Sequence, residues 1–107
     1  MGWLTSQLRL VQIISYRSDL EYDIQVLSTT KLSLSQQIND IIGLGSDLES
    51  NSPEMKALEK KKERLQQAEK ALDVHLQRLQ TQLKAIEAEE QGVKEQIDKS
   101  IQRFYAA

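Results

Sequence analysis

What this 107-residue sequence lacks already limits its fold and its chemistry. It contains no cysteine, which excludes disulfide bonds and thiolate metal sites. One proline and four glycines are too few for the many turns of an all-β domain. Aromatic residues make up only 5% of the chain, which argues against a large globular core. These absences favour an all-α chain that buries a narrow apolar seam between helices.

The sequence also lacks the features of a membrane span, a nucleic-acid-binding domain and a secretory signal. No stretch approaches about 18 uninterrupted apolar residues, and the net charge of −2 argues against binding to phosphate backbones. The apolar run 8–14 carries Arg9 and Gln12 and has no basic start or cleavage site. We therefore expect no membrane span, and neither nucleic acid nor a membrane as partner. We expect a protein that stays in the cytoplasm or reaches the cell surface by a signal-independent route.

The second half of the chain carries the clearest helical pattern. Ser52 can cap a helix, Pro53 suits its first position, and Glu54 favours its positive end. Apolar residues then recur with a period of about 3.5, which is typical of a helix packed lengthwise on another helix. These residues are Leu65, Ala68, Leu72, Leu76, Leu79, Leu83, Ile86, Val93, Ile97, Ile101 and Phe104. The pattern predicts a helix over residues 53–104, interrupted only by Glu90, which we expect to face a basic group or to fix the register.

The first half of the chain predicts a second helix, over residues 5–42. Thr5 or Ser6 is its candidate N-terminal cap, and Gly43 is expected to end it in a left-handed conformation. One face carries Leu20, Ile24, Leu27, Lys31, Leu34, Ile38 and Ile41 at heptad-like steps. Two helices joined by a loop of about ten residues usually fold back on each other. The predicted fold is therefore a long antiparallel, coiled-coil-like helical hairpin that forms a single domain over residues 1–107.

Two properties of this hairpin predict self-association. Residues 1–42 hold seven charged residues and residues 53–107 hold twenty-one, so the first helix has an unusually large uncharged surface. Pairing the helices outward from the loop places Leu4 near Gln91, which leaves an apolar stripe of the second helix overhanging its partner. Such surfaces are costly unless another chain covers them. The residues expected to form the interface are Trp3, Leu4, Leu8, Val11, Ile97, Ile101, Phe104 and Tyr105.

The titratable residues give no pattern that is typical of a catalytic or ligand site. His75 is the only histidine and has no second ligand at a metal-site spacing. The acidic residues Glu87, Glu89 and Glu90 occupy helical positions that point apart, and no pocket around them is indicated. No catalytic triad spacing, phosphate-binding glycine loop or HExxH motif is present. We therefore predict a protein that is not an enzyme and that has no catalytic residues, metal or cofactor.

A helical hairpin that turns at Asn51-Ser52-Pro53 and ends in Ile97-Asp98-Lys99-Ser100-Ile101-Gln102-Arg103-Phe104 resembles the needle subunits of bacterial type III secretion systems. Those subunits have a similar Ile/Val-Asp…Ile…Phe pattern close to their C-terminus. The resemblance covers the turn and the last dozen residues. It implies a bacterial structural protein that assembles into a hollow helical tube and has a secretion apparatus as its partner.

The sequence is also compatible with a different kind of assembly. A closed coiled-coil dimer or tetramer could act as an adaptor or export chaperone, with a groove that holds a partner helix by apolar anchors. A closed bundle has a fixed mass, whereas a filament or tube grows with concentration. Both alternatives make copies of the chain itself the main partner.

Overall fold

The computed structural model describes residues 2–106, and within this range it contains two α-helices and no strand. Helix α1 spans Trp3–Gly45 and helix α2 spans Pro53–Ala106, with residues 46–52 between them. The helices pack against each other as a coiled-coil-like hairpin. The predicted all-α hairpin is therefore confirmed, although both helices are longer than the predicted ranges 5–42 and 53–104.

The predicted cap of α2 is confirmed and the predicted cap of α1 is wrong. The Ser52 hydroxyl accepts a hydrogen bond from the Met55 amide at 3.1 Å, as a side-chain N-cap does. In α1 the Ser6 amide donates to the Gly2 carbonyl at 3.1 Å, so the helix already begins after Gly2. Thr5 and Ser6 lie inside the helix, and Ser6 is buried. A glycine at the N-cap gives no side-chain signal, which explains the error.

Gly43 does not end α1, so that prediction is also wrong. The helix continues to Gly45, and no described residue has a positive φ angle. Gly45 is buried, and a Cβ added to it would lie 3.3 Å from the Met55 sulfur. Gly45 therefore has a structural role, because its lack of a side chain lets α2 approach α1 closely. No described glycine forms a left-handed turn here. As a result the chain turns in seven residues instead of about ten.

The chain divides into two compact units, and each contains a segment of both helices. Unit 1 comprises the described parts of Met1–Ile24 and Arg78–Ala107, and unit 2 comprises Gln25–Gln77. The core of unit 1 contains Ile13, Leu20, Leu79, Ile86, Val93 and Ile97. The core of unit 2 contains Ile38, Ile41 and Leu76. The single domain over residues 1–107 stays a prediction.

Apart from the half-buried Ser28, Ser35 and Ile101, the buried and half-buried residues of each helix follow alternating steps of three and four. In unit 1, α1 contributes positions 6, 10, 13, 17, 20 and 24, and in unit 2 it contributes 27, 31, 34, 38, 41 and 45. This spacing is the heptad period of helices that pack lengthwise. In α2 the same alternation places the half-buried Glu69 in the seam, where the sequence pattern predicted Ala68. Ala68 is exposed. The seam between the helices is therefore more polar than the sequence pattern suggested.

Candidate self-association surface

The chain ends of unit 1 lie side by side, and the predicted overhang of α2 is wrong. The Arg9 guanidinium forms an ion pair with Glu89, and Trp3 lines a cleft together with Ile101. Leu4 lies five residues before Arg9, which is about 7 Å farther along the helix, so it is displaced from Gln91. The register differs from the prediction because α1 continues to Gly45 and the loop is correspondingly shorter.

One predicted interface residue lies in the core in the corrected register. Ile97 is 9% exposed and belongs to the core of unit 1, together with Val93. Its part in a contact between copies stays a prediction. The remaining predicted residues lie in two places, which are the side of α1 turned away from α2 and the cleft next to Trp3.

A buried ion pair interrupts the apolar core of unit 1. Glu90 is 7% exposed, and its Oε2 accepts a hydrogen bond from the Arg17 Nη1 at 2.7 Å. Lys94, one turn later on the same helix, lies 3.9 Å from the same oxygen. The Arg17 Nε and the Glu90 Oε1 are buried without a hydrogen-bond partner among the described residues. The expectation that Glu90 faces a basic group is confirmed. Because the pairing is incomplete, this layer contributes more to the alignment of the two helices than to the stability of the fold.

Unit 2 has its own polar contacts along the seam. The Lys31 ammonium lies 2.5 Å from the Asp73 carboxylate, and the Ser35 hydroxyl donates to Glu69 at 2.5 Å. The hydrogen bond to Asp73, with the charge of that carboxylate, raises the pKa of Lys31 above its ordinary value of 10.5. Lys31 occupies a half-buried seam position, as predicted, and Lys62 occupies another; the stems of both side chains cover apolar surface.

The most unusual surface of unit 1 is the side of α1 that faces away from the seam. We call one stripe on this side the outer face; it consists of Leu4, Leu8, Val11, Ser15, Ser18 and Tyr22, all of them exposed, and the charged Asp19 lies beside it. These residues follow each other at steps of three and four, so they form one continuous stripe. Leu4, Leu8 and Val11 are 63–66% exposed. A helix face that is turned to water in a hairpin usually carries charge, and this one carries none.

The equivalent positions of α2 in unit 1 show the usual pattern. They include the exposed charged residues Lys84, Glu95 and Asp98. The contrast between the helices shows that the lack of charge is specific to α1. In unit 2, the corresponding positions of α1 are Gln25, Thr29, Leu32, Gln36, Asn39 and Gly43, which are also exposed and uncharged.

A second apolar feature of unit 1 lies where its two chain ends meet. We call it the terminal cleft, which has a volume of about 770 Å³ and is lined by Trp3, Ser100, Ile101, Arg103, Phe104 and Tyr105. The Phe104 and Tyr105 rings are exposed and stack edge to face, with their centroids 5.5 Å apart. Four of the eight predicted interface residues are thus brought together in this cleft.

Sequence reasoning identified the apolar residues of these two features and missed their polar members. Tyr22 was not recognised as part of the outer face, and Arg103 was not recognised as part of the terminal cleft. The absence of charge along the outer face of α1 is a signal that the sequence does contain. Using it requires that the heptad phase predicted for residues 20–41 be extended back to residue 4, which sequence reasoning did not do.

The remaining residues considered for chemistry lie on the surface. His75, Glu87 and Glu89 are exposed. Within the described residues, no three histidine or acidic side chains are grouped closely enough to hold a metal ion. The same range contains no helix with the length and apolar character needed to cross a membrane.

Comparison of the chain with protein-family models, with curated proteins and with solved structures found no match.

Proposed function

We propose that this chain is a structural protein that self-assembles into a helical filament or tube, with copies of itself as its main partner. The observation that carries the proposal is the outer face of α1, where Leu4, Leu8 and Val11 are more than 60% exposed and no charged residue interrupts the stripe. The proposed role is structural and not catalytic.

The physical reason is the free energy of the exposed apolar side chains. Burying a leucine or valine side chain contributes about 1.5–3 kcal/mol, so a stripe with three of them strongly favours association. The neighbouring serines and Tyr22 can make hydrogen bonds and contacts across an interface without the desolvation cost of a charge. The outer face therefore has the composition of the centre of an interface and not that of a solvated surface.

The C-terminal segment supports a polymer of the secretion-needle type as the specific form of the assembly. The pattern from Ile97 to Phe104 resembles that of needle subunits, which form hollow helical tubes from stacked hairpins. A bacterial origin and a secretion apparatus as partner are parts of the same proposal. A polymer also needs a contact between two different patches, because a patch that pairs only with itself closes into a dimer.

The proposal is tested by a matched pair of substitutions, Val11→Lys and Val74→Lys. Both valines are exposed, at 65% and 59%, and both face outward on a helix. Only Val11 lies on the outer face; Val74 lies on the charged helix α2. Light scattering across a concentration series measures the mean mass of the wild type and of both variants.

We expect the wild-type mass to rise with concentration and Val74→Lys to follow the same curve. Val11→Lys should need about tenfold more protein to reach the same mass, because about 1.4 kcal/mol of lost contact free energy corresponds to that factor. Circular dichroism should show equal helicity for all three proteins. Equal curves for the two variants would refute the role of the outer face.

A further inference from the structure

We propose that the terminal cleft of one copy binds the loop between α1 and α2 of a second copy. The segment that enters the cleft is the loop tip, defined as residues 44–49, which comprises the last two residues of α1 and the first four residues of the loop. This contact adds a second interface to the proposed self-assembly, and the inference rests on that proposal. It would supply the contact between two different patches that a growing polymer requires.

The terminal cleft has the size and lining of a binding site. Its volume of about 770 Å³ lies within the range of sites that enclose a ligand. Trp3, Phe104 and Tyr105 provide aromatic walls, and aromatic residues with arginine are enriched in the centres of protein interfaces. Because the rings are rigid, they lose little conformational freedom when a partner covers them.

The loop tip presents apolar groups that can fill such a cleft. Leu44 is mostly exposed, and Leu48 is exposed in part. The two leucines are four residues apart in the sequence, at the place where α1 ends and the chain turns. Two leucines at a turn form a compact apolar projection, which is costly in water and complementary to an apolar cleft.

The charges of the two patches are opposite. The loop tip carries the exposed residues Asp47 and Glu49 and no basic residue. The segment 99–105, which contributes most of the cleft wall, carries the exposed residues Lys99 and Arg103 and no acidic residue. Arg103 lines the cleft itself, and Lys99 lies with it in an adjoining cavity. Opposite charges at the rim of an apolar contact favour this pairing over cleft with cleft or tip with tip.

The loop tip also makes hydrogen bonds within its own chain that require no partner. The Leu48 amide donates to the Gly45 carbonyl at 3.2 Å, and the Ser46 hydroxyl donates to the Gly43 carbonyl at 2.7 Å. On the other side, the Ser52 amide donates to the Glu49 carbonyl at 3.1 Å. A segment ordered in this way loses less conformational entropy on binding than a flexible one.

The test uses two complementary variants of the full chain, both carrying Val11→Lys to weaken the outer-face contact, at a concentration where the Val11→Lys parent sediments as a single chain. The tip variant has Leu44→Asn and Leu48→Asn, and keeps an intact cleft. The cleft variant has Phe104→Asn and Tyr105→Asn, and keeps an intact loop tip. Circular dichroism first establishes that both are as helical as the Val11→Lys parent. Sedimentation then measures the mass of each variant alone and of the equimolar mixture.

The contact predicts that each variant alone stays a single chain, while the mixture forms a species with the mass of two chains and no larger one. Introducing Arg103→Glu into the tip variant should weaken this pair about tenfold, and adding Asp47→Arg to the cleft variant should restore it. A mixture with the mass of single chains would overturn the inference, as would a tip variant that associates with itself. If the outer-face test succeeds and the mixture does not pair, only the loop–cleft contact is wrong. If the mixture pairs while Val11→Lys and Val74→Lys behave alike, only the outer face is wrong.

Discussion

Glycines inside a helix lower its stability, and α1 contains one at a position where nothing requires it. Gly43 lies within α1, has no positive φ angle, and has no heavy atom within 4 Å of the position a Cβ would take. Gly92 in α2 has the same surroundings. Gly45 is different, since a Cβ there would contact Met55 across the seam. The same residue type thus has a structural role at one position of α1 and none at the other.

This difference predicts that Gly43→Ala stabilises the protein. The gain should be about 1 kcal/mol, because alanine has a higher helix propensity and the site has room for a methyl group. Chemical denaturation at low protein concentration measures the change in the free energy of unfolding. Gly92→Ala serves as the control and should give a similar gain. A clear loss of stability in Gly43→Ala alone would mean that Gly43 does adopt the left-handed conformation expected from the sequence.

At the scale of the helices, polar layers in the seam set how α1 and α2 align. Apolar heptads alone allow the helices to slide by whole heptads, because each register buries similar side chains. A buried pair such as Arg17 and Glu90 is satisfied in one register only, since sliding would leave a carboxylate in the core without a cation. The same layer costs stability, because the Glu90 carboxylate loses most of its hydration and the Arg17 side chain, which is 30% exposed, loses part of its own.

This layer predicts a non-additive pair of substitutions. Arg17→Leu alone should destabilise the hairpin by about 3 kcal/mol, because it leaves the Glu90 carboxylate buried without its main partner. Arg17→Leu combined with Glu90→Leu should be as stable as the wild type or more so. Chemical denaturation of both variants and of Glu90→Leu completes the cycle. Additive effects of the two substitutions would show that the ion pair does not act as a unit.

The Lys31–Asp73 contact predicts a dependence of stability on pH in unit 2. The folded state raises the pKa of Lys31 above 10.5, so the pair stabilises the fold fully at pH values below 10.5. That contribution is lost as the pH rises through the raised pKa and the ammonium loses its proton. We therefore expect the stability difference between wild type and Asp73→Asn to be constant from neutral pH to about pH 9 and to shrink above 10.5. A difference that stays constant to pH 12 would contradict the contact.

At the scale of the whole chain, the spacing of apolar residues predicted the two helices. The candidate capping residues predicted the ends of these helices less well. The recurrence of apolar residues at steps of three and four was sufficient to predict two packed helices. The polar break at Glu90 correctly indicated a basic partner. Both signals extend over many residues, so errors at single positions, such as Ala68 in place of Glu69, do not remove them.

The limits of α1 could not be predicted because they depend on single hydrogen bonds. A glycine cap at Gly2 has no side-chain signature, and Gly43 has a helical cost of only about 1 kcal/mol, which the packing that follows can offset. The resulting shift in register converted a predicted overhang into the terminal cleft and placed Ile97 in the core. The sequence therefore predicted the apolar residues of the candidate surface. It did not predict how the structure arranges them.

The central claim is that the hairpin polymerises through its uncharged outer face, and electron microscopy of negatively stained protein across a concentration series tests it most directly. We predict filaments of uniform width that lengthen with concentration, that persist in Val74→Lys and that are absent from Val11→Lys at the same concentrations. Small uniform particles at every concentration, with a fixed mass by light scattering, would contradict polymerisation and would instead support a closed oligomer that acts as an adaptor or export chaperone.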